Sequence, residues 1–176
     1  MRIGIASWII QDGNYPDFAV GDVRTFALEF HAEPFSVLKT AAITSAYQKN
    51  CKYDITGQIF FRQDELTIID FGHVAYSEQK LGATVGDWVT GQFYIGVDPF
   101  MYFEHWSRKP GVPEIRREWR IERIFLETTP LIEQQPRYFV RDASRFSEVE
   151  VAKTNAWDDD KGNASYTLEC TEMKPA

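Results

Sequence analysis

The chain has 176 residues, of which 44% are apolar and 15% aromatic, enough to bury a substantial core and to exclude a disordered polypeptide. Its formal charge of −7 repels phosphate backbones and anionic lipid surfaces, which argues against nucleic acid and membrane and for a basic partner. No segment approaches the roughly eighteen apolar residues of a spanning helix, and Cys51 and Cys170 lack zinc or redox spacing, so the expectation is a soluble cytoplasmic protein with reduced cysteines, no cofactor and no metal.

In chain order, a candidate strand near Ile3 is followed by Val20-Gly21-Asp22, which together with Pro34-Phe35 returns as Val85-Gly86-Asp87 and Pro99-Phe100. Six of sixteen aligned positions are identical (Val20/Val85, Gly21/Gly86, Asp22/Asp87, Thr25/Thr90, Pro34/Pro99, Phe35/Phe100), where average composition gives about one. Glycine supplies a positive φ and aspartate accepts neighbouring N–H groups, so each Gly-Asp pair reads as a tight entry into a strand rather than as a catalytic or metal-binding carboxylate. The two strands agree in pattern as well as identity. Phe26, Leu28, Phe30 and Ala32 align with Gly91, Phe93, Ile95 and Val97, all of one parity, while the opposite parity is wetter. Carried backward, the same offset places Ile3 on Ile68 and Ile9 on Val74.

Between the copies, Leu38, Ala41, Ala42, Ser45 and Ala46 suit one short helix, with no Gly or Pro to interrupt it. Tyr53-Asp54-Ile55 and Ile59-Phe60-Phe61 match Trp119-Arg120-Ile121 and Ile124-Phe125-Leu126 if a β-bulge near Gly57 absorbs one extra residue. Met101–Trp106 alternates as a strand, with Tyr102, Glu104 and Trp106 on one face, and is stopped by the Lys109-Pro110-Gly111-Val112-Pro113 turn. The tail supplies three more strands, around Tyr138–Val140, Val149–Val151 and Tyr166–Cys170, the last two joined through a turn at Asp158-Asp159-Asp160. The expected architecture is all-β: two tandem small barrel-like units of SH3-like or OB-like style over 1–66 and 67–133, with 134–176 as a C-terminal β-hairpin extension packed on the second unit, and little helix.

Catalytic signatures are absent. The sequence has no G-x-S-x-G, H-E-x-x-H, C-x-x-C, P-loop or G-x-G-x-x-G, and its three imidazoles, His31, His73 and His105, have no nucleophile or oxyanion donor at a telling spacing. Arg108, Lys109, Arg116, Arg117, Arg120 and Arg123 concentrate positive charge, but Glu104, Glu114, Glu118 and Glu122 interleave with them, as expected of surface ion pairing. Asp158, Asp159 and Asp160 lack the alternating ligand spacing of a calcium loop and read as a solvated acidic turn. Function is therefore expected to be non-catalytic binding of a basic protein, as acidic inhibitor or immunity-type proteins do, through Tyr102, Glu104, Trp106, Asp158, Asp159 and Asp160. The alternatives are a barrel binding a small ligand or single-stranded nucleic acid and, third, a hydrolytic site around His105 and Glu104.

Overall fold

The computed structural model describes residues 1–173. Thirteen strands follow in order: β1 (Arg2–Ala6), β2 (Val23–Phe26), β3 (Leu28–Leu38), β4 (Thr44–Tyr47), β5 (Lys52–Gln63), β6 (Leu66–Asp70), β7 (Val74–Ser77), β8 (Trp88–Val97), β9 (Arg117–Glu127), β10 (Leu131–Gln135), β11 (Tyr138–Arg141), β12 (Glu148–Val151) and β13 (Ser165–Glu172). One short helix, α1 (Ser7–Gln11), follows β1, and the other helical pieces are single turns. The fold is all-β, as the alternating patterns imply.

Strands β8, β3, β7, β6 and β5 close into a five-stranded barrel, because β8 pairs with both β3 and β5. A second circuit leaves β8 through its parallel bridge to β1, continues through β13 and β9 to β2, and returns to β3 across Ala27. Hydrogen-bonded ladders thus cross residues 66/67 and join the two copies into one sheet. The two-stranded β10–β11 hairpin stands apart from it.

The β3–β8 ladder explains how the duplication is arranged. It pairs Leu28 with Val97, Phe30 with Ile95 and Ala32 with Phe93. Replacing each residue by its repeat counterpart, Leu28 by Phe93 and Val97 by Ala32, converts this ladder into itself, so Phe30 and Ile95 pair at a local twofold axis. Each Gly-Asp turn then docks on a strand from the opposite half. Gly21 N–H donates to the Ile121 carbonyl at 2.8 Å and Ile121 N–H to Asp22 at 2.9 Å; Gly86 and Asp87 make the same pair with Ile59, at 2.8 and 2.9 Å. Inside each turn an aspartate oxygen accepts an N–H three residues back, Ala19 for Asp22 and Thr84 for Asp87, both at 3.1 Å. Gly21 and Gly86 hold φ of 91° and 92°, the backbone requirement for which glycine was expected.

This geometry corrects the alignment beyond the turns. Ile59, not Ile55, is the counterpart of Ile121, and each is followed by a bulge, between Ile59 and Phe61 against β6 and between Ile121 and Arg123 against β13. The bulge lies two residues past Gly57. The counterpart of β1 is β7, which runs parallel to β3 as β1 does to β8, so placing Ile3 on Ile68 joins strands that play different parts. The duplication also ends structurally at Pro34 and Pro99. After Glu33 the chain continues as strand, and a Cβ on Gly91 would run into the Pro34 carbonyl; after Asp98 it coils into a helical turn.

Three further expectations change. The 38–46 segment is the end of β3, a loop and β4, because pairing of Thr44–Tyr47 with β5 outweighs the helical preference of isolated alanines. Met101–Trp106 is not a strand. Finally, β12 and β13 do not pair with each other as a hairpin: both flank β9.

The common face of the paired strands is buried as its parity demands, with Phe26, Leu28, Phe30, Ala32, Phe93, Ile95 and Val97 each at most 1% exposed. These residues join Ile3, Ile59, Ile121 and Trp119 in a single core spanning both copies, in which Phe26 stacks on Trp119 at 5.8 Å. A smaller cluster of Ala27, Leu66, Ile68, Tyr76, Tyr102, Trp106 and Ile115 lies on the other face and forms the floor of the region described next.

Candidate functional site

Asp98 ends β8 and initiates the turn that builds the site. Its Oδ1 accepts from the Tyr76 hydroxyl at 2.6 Å and from Tyr102 N–H at 3.0 Å, and its Oδ2 accepts from Phe103 N–H at 3.0 Å. The carboxylate, two residues before the N-cap position at Phe100, thereby accepts from amides that the first helical turn leaves unpaired. Phe100 takes a left-handed φ of 78°, and a π-helical turn (Met101–His105) and a 3₁₀ turn (Trp106–Arg108) follow. Asp98 is fully buried, and burial raises its pKa against the opposing effect of these hydrogen bonds.

Helical winding separates residues that a strand would have put side by side. Tyr102 is fully buried: its hydroxyl donates to the Pro113 carbonyl at 2.5 Å and accepts from Ile115 N–H at 3.1 Å, pinning the far end of the 107–116 loop. Tyr102 is thus a structural support below the surface. Glu104 is exposed, and Trp106 lies with its indole N–H donating to Glu78 at 2.6 Å. The Lys109 ammonium sits 3.9 Å from the Trp106 ring centroid and 3.4 Å from an Asp64 oxygen. His105 packs edge-on against the same indole, with centroids 4.9 Å apart.

Glu104 and Trp106 face an open cleft of about 790 Å³, which four separate segments line: Asp12 and Asn14 after α1, Asp64 and Glu65 in the β5–β6 turn, Glu78 after β7, and Pro99 through Lys109. Five of these residues are carboxylates, and Lys109 is the only lysine or arginine among the described residues lining it. Behind the cleft, Glu29 on β3 has its pKa pushed up to about 7, first by burial and then by the neighbouring charges of Asp98 and Glu78. The cleft itself carries a net excess of carboxylates over cations.

Asp158, Asp159 and Asp160 do not join this cleft. They lie at the start of a 3₁₀ turn, where Asp159 accepts from the Tyr166 hydroxyl at 2.8 Å and Asp160 pairs with Arg141 at 2.6 Å, with Asp158 and Asp160 both exposed. The structure thus brings together Glu104 and Trp106, places Tyr102 beneath them, and separates the acidic turn. Asp12, Asp64, Glu65 and Glu78 escaped the sequence reading because no local spacing links them; only the closure of the barrel brings these segments together. A local signal did exist for the end of the strand, since an Asp-Pro pair such as Asp98-Pro99 favours a turn.

Of the rest of the basic cluster, Arg116, Arg117 and Arg123 form ion pairs, and of the interleaved glutamates Glu114 alone takes part, among the described residues. Arg116 meets Glu114 at 2.6 Å, Arg123 meets Glu150 at 2.6 Å and Arg117 meets Glu172 at 3.6 Å. His73 bonds Glu172 at 2.7 Å, and His31 lies 3.3 Å from Glu33 on an exposed surface. Cys51 and Cys170 are free and buried. Among the described residues no helix is long and apolar enough to cross a membrane. No family model, curated protein or solved structure matches this chain.

Proposed function

We propose that the protein is a non-catalytic binding protein that takes a basic segment of a protein partner into the cleft between the β5–β6 turn and the 99–109 segment. One observation carries this reading: Asp12, Asp64, Glu65, Glu78 and Glu104 converge from four stretches of chain on one cleft that holds a single ammonium. A concave surface with an aromatic wall and an excess of one charge favours partners of the opposite sign and steers their approach. The overall charge of −7 reinforces that field at longer range.

Isothermal titration with a lysine-rich decapeptide tests the reading. Binding at low salt should weaken steeply as ionic strength rises, because the cleft carboxylates are largely solvent-facing and screened within about 10 Å at 0.1 M salt. The double reversal Asp64→Lys with Glu104→Lys should reduce affinity about tenfold or more, while the same reversal at Asp158 and Asp159 should change it by less than about threefold. Equal losses from both pairs, or no binding at any salt concentration, would remove the cleft from consideration.

A further inference from the structure

We infer that the Trp106 ring face is a recognition site for an alkylammonium group, that is, a lysine side chain of the basic partner, and that Lys109 occupies it as an internal stand-in. This deepens the proposed function and depends on it. The ring has the features of a cation site. Its N–H is held by the Glu78 carboxylate at 2.6 Å, which fixes its orientation and makes its surroundings negative, and His105 braces it edge-on. An ammonium already lies over it at 3.9 Å, within the range of a cation–π contact. Asp64, 3.4 Å from that ammonium, supplies the counter-charge.

The stand-in's side chain is 30% exposed, and its charge has one carboxylate partner among the described residues. Lys109 N–H remains tied to the Trp106 carbonyl at 3.0 Å, so the backbone keeps its place, whereas the ammonium reaches the ring through four rotatable side-chain bonds. Its partner Asp64 has a side chain 64% exposed, and an ion pair in that setting contributes little. Displacing this one side chain is the rearrangement that an incoming ammonium requires. Trp106 is 4% exposed, seated in the cluster of Tyr76, Tyr102 and Ile115 with the Lys109 ammonium over its ring.

The test compares the wild type with Lys109→Met, which keeps the aliphatic stem and removes the charge, and with Lys109→Met combined with Trp106→Phe, all titrated with the same lysine-rich decapeptide. Lys109→Met should bind about two- to tenfold tighter, and most of that gain should vanish in the double variant, since phenylalanine is the weaker cation–π partner. An amide and indole NMR titration of Lys109→Met gives a second measurement that does not depend on the folding of the double variant. The Trp106 indole N–H signal should move on addition of peptide. If Lys109→Met gains nothing while the wild type binds, Lys109 is no stand-in and the cleft reading survives. A gain fully retained in the folded double variant, or an unmoved Trp106 signal in Lys109→Met, shows charge removal alone and overturns the role of the ring. If neither the wild type nor Lys109→Met binds, both readings fall together.

Discussion

Replacing Glu29 with glutamine should stabilise the protein in alkaline solution and leave it nearly unchanged in mild acid. Glu29 lies on β3 opposite Gly96 and beside Tyr76, with its carboxyl largely withdrawn from water and near Asp98 and Glu78. Its pKa rises from 4.5 to about 7. Between those values the folded protein retains a proton that the unfolded chain has released, so stability falls as pH increases through this window and levels off above 7. At about 1.4 kcal/mol for each tenfold change in proton affinity, the cost of ionised Glu29 is at most about 3.5 kcal/mol, of which glutamine returns the electrostatic part. For a chain of this size that corresponds to a rise in Tm of up to about 7–14 °C at pH 8. Thermal unfolding of both proteins at pH 5 and pH 8, followed by circular dichroism, measures the difference directly and cancels the histidines common to both. Parallel loss of stability in wild type and Glu29→Gln between the two pH values would refute the reasoning.

Other expected outcomes follow from the same geometry. Gly21→Ala and Gly86→Ala should each cost about 1–2 kcal/mol in denaturant unfolding and agree within about 0.5 kcal/mol. Both residues hold φ near 90° and a new Cβ meets nothing within 4 Å, so a large inequality would deny the equivalence of the turns. Gly91→Ala should cost more than either, because its Cβ collides with the Pro34 carbonyl. Burial pushes the Cys51 and Cys170 thiols up to about 12. A thiol reagent at pH 8 should therefore label both slowly in the folded protein and rapidly in urea, and fast native labelling of either would contradict its burial. The β10–β11 hairpin exposes Leu131, Ile132, Tyr138 and Phe139 by 45–56% and lies outside the main sheet, so its amides should exchange with deuterium well before those of β3 and β8.

The strands and their buried faces could be read from the chain because period-two alternation is a local property. Phe26, Leu28 and Phe30 declare their side of the sheet within five residues, and Gly21-Asp22 and Gly86-Asp87 declare their turns. Partner choice is not local. Nothing near Gly21 indicates that it docks on Ile121, and nothing near Gly86 indicates Ile59, since those contacts depend on how distant strands join in the sheet. Competing preferences account for the two misread segments. Thr44–Tyr47 became strand because β5 offered it a ladder, and Met101–His105 became helical because Asp98 captured two amides that a strand would have left to a neighbour. Of the expected interaction residues, Glu104 and Trp106 reached the cleft, Tyr102 was drawn beneath it by its hydroxyl partners, and Asp158–Asp160 became a separate turn held by Tyr166 and Arg141.

The most direct measurement of the central claim is a nitrogen–proton correlation NMR titration of the wild-type protein with the lysine-rich decapeptide at low salt. If the acidic cleft is the binding surface, shift changes will concentrate at Asp12, Asp64, Glu78, Glu104 and the Trp106 indole, and will fade as salt is added. Shifts centred instead on Asp158–Asp160 or on the β10–β11 hairpin, or spread evenly over the surface, would contradict it.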